Sequence, residues 1–262
     1  MIQAPKRLNL DGDAVLREAV DRISSANRLT QSRRNFLRAS LTLGGLSMLT
    51  GCMLDDSASV DAALGSISRF NDKVQGWLFD PNRLAPTYPD SMITRPFPFN
   101  AYYAENEVRQ VEESGYRLEV TGLVADKRQW SLPELRAMPQ TDQVTRHICV
   151  EGWSAIGKWG GVPFASFLRR VGADTSARYV GFKCADDYFT SIDMPTALHP
   201  QTLLALTWDG QVLPPKYGFP MKLRMPTKLG YKNPKHIQAI FVTNSYPGGY
   251  WEDQGYNWFG GS

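Results

Sequence analysis

Beyond residue 100 the apolar residues of this chain come in short runs cut by Gly and Pro, and this punctuation restricts the fold more than any other feature. Tyr116, Leu118 and Val120 alternate with polar residues, as in a strand with one buried face. Residues 143–149 read as a strand running into Gly152, and residues 178–184, 220–225 and 236–244 are strand-like as well. Only short helices fit between them. Ser131, with Glu134 three residues on, predicts a capping-box start for a helix through Met138, and residues 163–171 carry Phe164, Phe167 and Leu168 on one side. No strand–helix–strand rhythm recurs and no internal repeat is found, which predicts an α+β fold rich in mixed or antiparallel sheet.

With 262 residues, 42% of them hydrophobic, the chain can bury a sizeable core, and 21% charge with 17 scattered prolines argues against disorder. The net charge of +3 comes from the start of the chain: eight basic and four acidic residues precede Cys52, against 21 and 22 beyond it. The near-neutral body gives no support to a nucleic-acid partner. Residues 32–38 read Ser32-Arg33-Arg34-Asn35-Phe36-Leu37-Arg38, and no charge follows until Asp55. The stretch between, 39–54, is short for a membrane span and diluted by Gly44, Gly45 and Gly51, as in a signal-peptide core. It resembles a twin-arginine export signal, which implies a periplasmic destination; an amphipathic surface helix with a chance Arg pair is the alternative. Leu49-Thr50-Gly51-Cys52 resembles a lipobox, which would place a lipid anchor on Cys52, against ordinary cleavage nearby or an uncleaved anchor. The expected organisation is a signal segment at 1–52, a linker and extended arm at 53–95, and one domain at 96–262. Cys149 and Cys184 are the only cysteines left in the body, so no disulfide framework holds it.

The most informative segment is Arg146-His147-Ile148-Cys149-Val150-Glu151-Gly152-Trp153-Ser154. A cysteine that ends a strand before a turn can present its sulfur to a pocket. A thiolate is a soft ligand for a transition metal, and Arg146 and His147 are expected to favour that charged form. By residue type alone, a buried inert cysteine is the commoner outcome. His147, His199 and His236 are too scattered for a zinc pattern, and no His-Glu-x-x-His, nucleophile elbow or Gly-x-x-x-x-Gly-Lys sequence occurs. Between Asp209 and Glu252 there is no acidic residue, yet Lys216, Lys222, Arg224, Lys228, Lys232 and Lys235 all fall there, interleaved with Pro226, Gly230 and Pro234. A shaped basic loop of this kind suits a bound phosphate, each charge-assisted hydrogen bond contributing roughly 1.5–3 kcal/mol. A solvated basic face is the plainer reading.

Cys149-Val150-Glu151-Gly152-Trp153-Ser154 resembles the metal-binding loop of the sulfite-oxidase-like molybdopterin enzymes, in particular their exported bacterial methionine sulfoxide reductases. The resemblance covers residues 96–243. It is carried also by Phe99-Asn100-Ala101-Tyr102-Tyr103, by Leu198-His199-Pro200-Gln201-Thr202-Leu203, and by the phrases 218–226 and 228–235. It implies a sulfite-oxidase-type fold with molybdenum on a single molybdopterin, Cys149 as metal ligand and catalytic centre, and Asn100 and Tyr103 against the pterin. His147 is expected to face the pterin or to be a satisfied structural histidine. Lys222, Arg224, Lys228, Lys232, Asn233 and Lys235 are expected at the phosphate end. Cys184, 35 residues after Cys149, stands where the family's reductases carry a threonine near the metal, and either tunes the site or packs as a small apolar residue. Lys222 replaces an arginine, Tyr217 an asparagine and Ala104 an acidic residue of those relatives. These departures leave the substrate open.

The expected function is therefore two-electron oxygen-atom transfer on a small substrate such as an S-oxide, with sulfite-type oxidation as the alternative. A cofactor-free binding or assembly lipoprotein of the same fold is the reading from a different class. No Cys-x-x-Cys-His haem motif is present in the sequence. The resemblance implies a separate electron partner, either a membrane b-type cytochrome with its quinone link or a soluble c-type cytochrome. The aromatic residues from Tyr246 to Phe259 are expected to cover the pocket rim or to pack back on the sheet.

Overall fold

The computed structural model describes residues 57–262, with side chains described from Leu64 onward. The arginine pair and the Leu49-to-Cys52 motif lie outside the described residues. The chain divides into one unit ending at Asn71 and a second spanning Asp72–Ser262, which holds every sheet and the cleft described below.

Where the sequence suggested only linker and extended arm, residues Ser57–Leu78 form helix α1. Its apolar residues Leu64, Ile67, Val74 and Leu78 recur at helical spacing, a signal thinned by Gly65, Gly76 and the intervening polar residues. The helix stops before Asp80-Pro81. From there the chain runs along the second sheet described below, broken by a 3-10 turn at Asp90–Met92: the Tyr88 amide donates to the Val144 carbonyl at 3.0 Å and the Thr94 amide to the Ile156 carbonyl at 2.9 Å. No helix among the described residues is long and apolar enough to cross a membrane.

In chain order the next elements are β1 (Leu118–Gly122), β2 (Gln129–Trp130), α2 (Leu132–Arg136), β3 (Thr141–Ile148), β4 (Ser154–Pro163) and α3 (Phe164–Arg170). There follow β5 (Tyr179–Cys184), β6 (Phe189–Asp193), α4 (Met194–Leu198), β7 (Leu203–Trp208), β8 (Gln211–Val212), β9 (Lys222–Arg224) and β10 (Ile237–Thr243). One sheet has the order β2-β1-β10-β5-β6, with β1 and β10 parallel and the other pairs antiparallel. The other runs β3-β4-β7-β8 with β9 also paired to β7, antiparallel throughout. The expected α+β class with mixed and antiparallel sheet is thus what forms. The strand expected at 220–225 shrinks to Lys222–Arg224, because Pro220 and Pro226 lack the amide hydrogens that a ladder needs.

Two apolar clusters carry the packing. In the first, Leu118, Val120, Val180, Phe182 and Ile240 of one sheet meet the Phe164, Phe167 and Leu168 face of α3. Each such buried side chain contributes about 1.5–3 kcal/mol. In the second, Trp159 is completely buried, its ring 4.6 Å from that of Trp208 and 5.5 Å from that of Phe97. This second cluster forms the floor under the β3–β4 turn, and so fixes where Cys149 stands.

Candidate active site

Cys149 is the first residue beyond β3. The turn that follows is closed by the Cys149 amide donating to the Trp153 carbonyl at 2.9 Å and the Gly152 amide donating to the Cys149 carbonyl at 3.2 Å. The sulfur is left facing a cleft of about 720 Å³, counted through its open mouth, and accepts a hydrogen bond from Asn100 Nδ2 at 3.2 Å. Arg146 and His147 do not favour the thiolate as the sequence suggested. Strand alternation turns Arg146 outward, its guanidinium 5.5 Å above the Tyr88 ring, while burial keeps His147 neutral. Burial pushes the Cys149 thiol up, and the nearby Glu151 carboxylate adds to the rise against the amide hydrogens of Glu151 and Val150.

Asn100 and Tyr103 both line the cleft. Tyr103 donates its hydroxyl hydrogen to Asp186 Oδ2 at 2.9 Å, and burial together with that carboxylate holds the phenol far above its usual range. Tyr102, pushed up to about 12 first by burial and then by Asp186, donates to the Asp186 carbonyl. Asp186 lies two residues beyond Cys184. Cys184 itself is not in the cleft wall: it packs in the first apolar cluster, its amide donates to the Tyr188 carbonyl at 2.9 Å, and burial pushes its thiol well up.

Behind Cys149 lies a buried cationic wall. His147 is 1% exposed and neither ring nitrogen has a hydrogen-bond partner. Burial, then the charges of Lys222, Arg224 and Lys235, depress its protonation. Lys222 is 3% exposed and lies 5.1 Å from the Trp159 ring, with no hydrogen bond or ion pair to it among the described residues. Its charge is disfavoured first by burial and then by Lys235 and Arg224. Lys235 lines the cleft and donates to the Lys216 carbonyl at 3.0 Å; burial brings it down to about 8. Arg224 is fully buried, donates through Nη2 to the Arg146 carbonyl at 2.6 Å and keeps Nε without a partner. His236 likewise has an unpartnered Nε2.

Of the other residues expected at the phosphate end, two lie outside the cleft lining and a third has its side chain engaged by the backbone. Lys228 Nζ donates to the Phe259 carbonyl at 2.8 Å and sits 3.0 Å above that ring. Lys232 forms a buried ion pair with Glu252 and donates to the Ser191 carbonyl at 2.7 Å. Asn233 lines the cleft, but its side chain is spent on the backbone, its Oδ1 accepting from the Met225 amide at 2.7 Å and its Nδ2 donating to the Leu229 carbonyl at 3.0 Å. The reason is local: tight turns through Pro226, Gly230 and Pro234 rotate successive side chains to opposite sides of the segment. Sequence reasoning also missed Asp186, Tyr188 and Tyr231 in the cleft wall, and placed Trp251 and Tyr256 only as an aromatic tail. The spacing from Cys149 carries no signal for Asp186, whereas the tail's density of Tyr and Trp did suggest a rim.

The family pattern described as oxidoreductase molybdopterin binding domain matches residues 105–251. The chain belongs to this family. A protein of Azospira oryzae, provisionally named protein-methionine-sulfoxide reductase subunit YedZ1, is 71% identical over 96% of this chain and 96% of its own length. The protein-methionine-sulfoxide reductase catalytic subunit MsrP of Ralstonia nicotianae is 33% identical over 55% of this chain, and the matched part is about half, 49%, of that protein. The sulfane dehydrogenase SoxCD from Paracoccus pantotrophus shares the fold at a TM-score of 0.50, with 18% identity over 53% of this chain and 40% of that one. The chain is an oxidoreductase of the molybdopterin-binding family, as the motifs implied. The cleft suits such a cofactor. Its lining holds Lys235, and directly behind the lining residue Gly230 stands His147 with both ring nitrogens unpartnered, the cation and buried polar atoms that a polar pterin bearing a phosphate would satisfy. Gly230 keeps that wall open: a Cβ there would lie 2.8 Å from His147 Nε2.

Proposed function

We propose that this chain is the catalytic subunit of an exported S-oxide reductase that carries molybdenum on one molybdopterin, with Cys149 as the metal's protein ligand. The observation that carries the reading is the placement of Cys149 in a cleft that Lys235 also lines and near which the basic side chains of Lys222 and Arg224 are buried. When bound, the metal and its pterin supply a two-electron exchange and a site for the transferred oxygen. The chain supplies the rest. Asn100 donates to the sulfur and fixes its direction. Neutral His147 offers one donor and one acceptor to the pterin, and Lys235 in the cleft lining is placed for its phosphate, with buried Lys222 behind it. Asn100 and Tyr103, both in the cleft lining, border the pterin.

Reduction of an S-oxide breaks its sulfur–oxygen bond, leaves the sulfide and releases the oxygen as water, consuming two electrons and two protons. Asp186 and Glu151 are the carboxylates in the cleft wall, and they are suited to bring those protons in from solvent. Tyr103 keeps its own proton on the phenol oxygen and shares it with Asp186. The electrons come from a separate protein, a membrane b-type or soluble c-type cytochrome. The relatives are named as subunits, which supports a partner, and as protein-methionine-sulfoxide reductases, which supports the S-oxide. Export to the periplasm by the twin-arginine route rests on residues 32–38, and a lipid anchor on Cys52.

The test is elemental analysis of full-length protein from a host that makes molybdopterin, followed by oxidation of a reduced dye with methionine sulfoxide. Near-stoichiometric molybdenum and dye oxidation are expected for the wild type, and loss of both for a folded Cys149→Ala variant. Molybdenum retained by Cys149→Ala with full turnover would remove the ligand assignment.

A further inference from the structure

The cleft lining combines two kinds of side chain: the charged Asp186, Glu151 and Lys235, and the aromatic Tyr231, Trp251 and Tyr256. We propose, resting on the S-oxide reading above, that the buried Lys232–Glu252 ion pair is a positioning device holding Trp251 and Tyr256 as an apolar wall that receives the carbon substituents of the S-oxide.

Glu252 follows Trp251 directly, and Lys232 closes the turn whose Gly230 and Tyr231 line the cleft, so this single pair ties two walls together. Both side chains are 1% exposed. Lys232 spends its remaining hydrogens on the Ser191 carbonyl at 2.7 Å and Thr190 Oγ1 at 3.1 Å, and Thr190 in turn donates to Glu252 Oε1 at 2.7 Å. A buried pair of this kind is a poor stabiliser compared with well-packed apolar residues, so its value lies in fixing one geometry. Gly249 completes it, since a Cβ there would collide with the Glu252 carboxylate. The wall is then locked ring to ring. Trp251 lies 4.9 Å from Tyr256 and 5.3 Å from Tyr250, Tyr256 lies 5.7 Å from Tyr231, and the Tyr256 amide donates to the Trp251 carbonyl at 3.1 Å. An S-oxide has a polar sulfur–oxygen end and apolar carbon substituents, and aromatic edges attract both those carbons and the sulfur. The cleft lining offers both kinds of group.

The test uses molybdenum-loaded, full-length wild type, Trp251→Ala and Glu252→Gln, with methyl p-tolyl sulfoxide and dimethyl sulfoxide as substrates. Both variants should raise KM for the aryl substrate about tenfold more than for dimethyl sulfoxide, the discrimination that one apolar contact region supplies, with kcat and molybdenum content kept. Equal shifts on both substrates, or none, would overturn the wall; a shift with Trp251→Ala but not with Glu252→Gln would overturn the positioning role. Should Glu252→Gln fail to fold, Thr190→Val, which removes one partner of the carboxylate, takes its place with the same expectation. If the wild type reduces neither compound, the S-oxide reading fails, and calorimetric binding of methyl p-tolyl sulfide decides the wall by itself. About tenfold weaker binding by Trp251→Ala would support it, and equal binding would sink it.

Discussion

Gly230 is placed so that its missing side chain is part of the cleft. Gly230→Ala puts a methyl group 2.8 Å from His147 Nε2 and 3.4 Å from Asn100 Oδ1, and both of those side chains sit among fixed neighbours. Overpacking of that kind costs about 1–3 kcal/mol, so the cofactor-free variant should show a lower urea midpoint with an unchanged slope. Its molybdenum content should fall as well, because His147 and Asn100 are moved together. Single residues were unevenly legible in the sequence. Cys149 was legible through the resemblance of Cys149-Val150-Glu151-Gly152-Trp153-Ser154 to the family's metal-binding loop, since its place at a strand end alone favoured an inert buried thiol. The lysines were legible only as charge: Lys228, Lys232 and Lys235 fall within eight residues, yet the turns between them send Lys235 to the cleft and the other two to the C-terminal segment.

At the scale of elements, the C-terminal segment is a strap tied down at its end, where Phe259 and Gly260 are buried. The Phe259 amide donates to Asp72 Oδ1 at 2.6 Å, the Leu229 amide to the Gly260 carbonyl at 2.8 Å, and the Phe259 ring is 5.6 Å from that of Phe79. Phe259 is 5% exposed and lies under Lys228, so Phe259→Ala should cost about 3–5 kcal/mol, read as a fall in the denaturant midpoint. Helices α2 and α3 were readable from their caps and apolar spacing, because those signals are local. The strap was not, because its meaning lies in residues such as Asp72 that are distant in sequence. Helix α1 was missed for another reason: its glycines and polar residues lower the apparent periodicity below that of a packed helix.

Over the whole molecule, buried cations make stability depend on pH in a defined direction. Burial brings Lys228 down to about 7, with Asp193 and Asp72 opposing and Lys232 adding, and Lys235 down to about 8, with Asp186 and Glu105 opposing. In the unfolded chain both titrate near 10.5. From pH 7–8 up to about 10, the unfolded chain therefore binds more protons, and the stability of the cofactor-free protein should rise with pH across that window. It should be lost as pH falls through the two folded values. Urea unfolding at pH 6.5 and 9 checks this, and the cofactor-loaded protein should show a smaller rise because a bound anion favours the charged form of Lys235.

The sheet order has its own consequence for how the chain comes into being. β10 is the central strand, pairing in parallel with β1, Glu119 against Ala239, and in antiparallel fashion with β5. A nascent chain still on the ribosome therefore carries β1 and β5 with unsatisfied backbone edges until the strand 120 positions after Glu119 has been made. Closing so long a loop is slow compared with local pairing. Newly synthesised chain thus offers open strand edges to a chaperone, and to its own copies, for the whole interval before translation delivers β10.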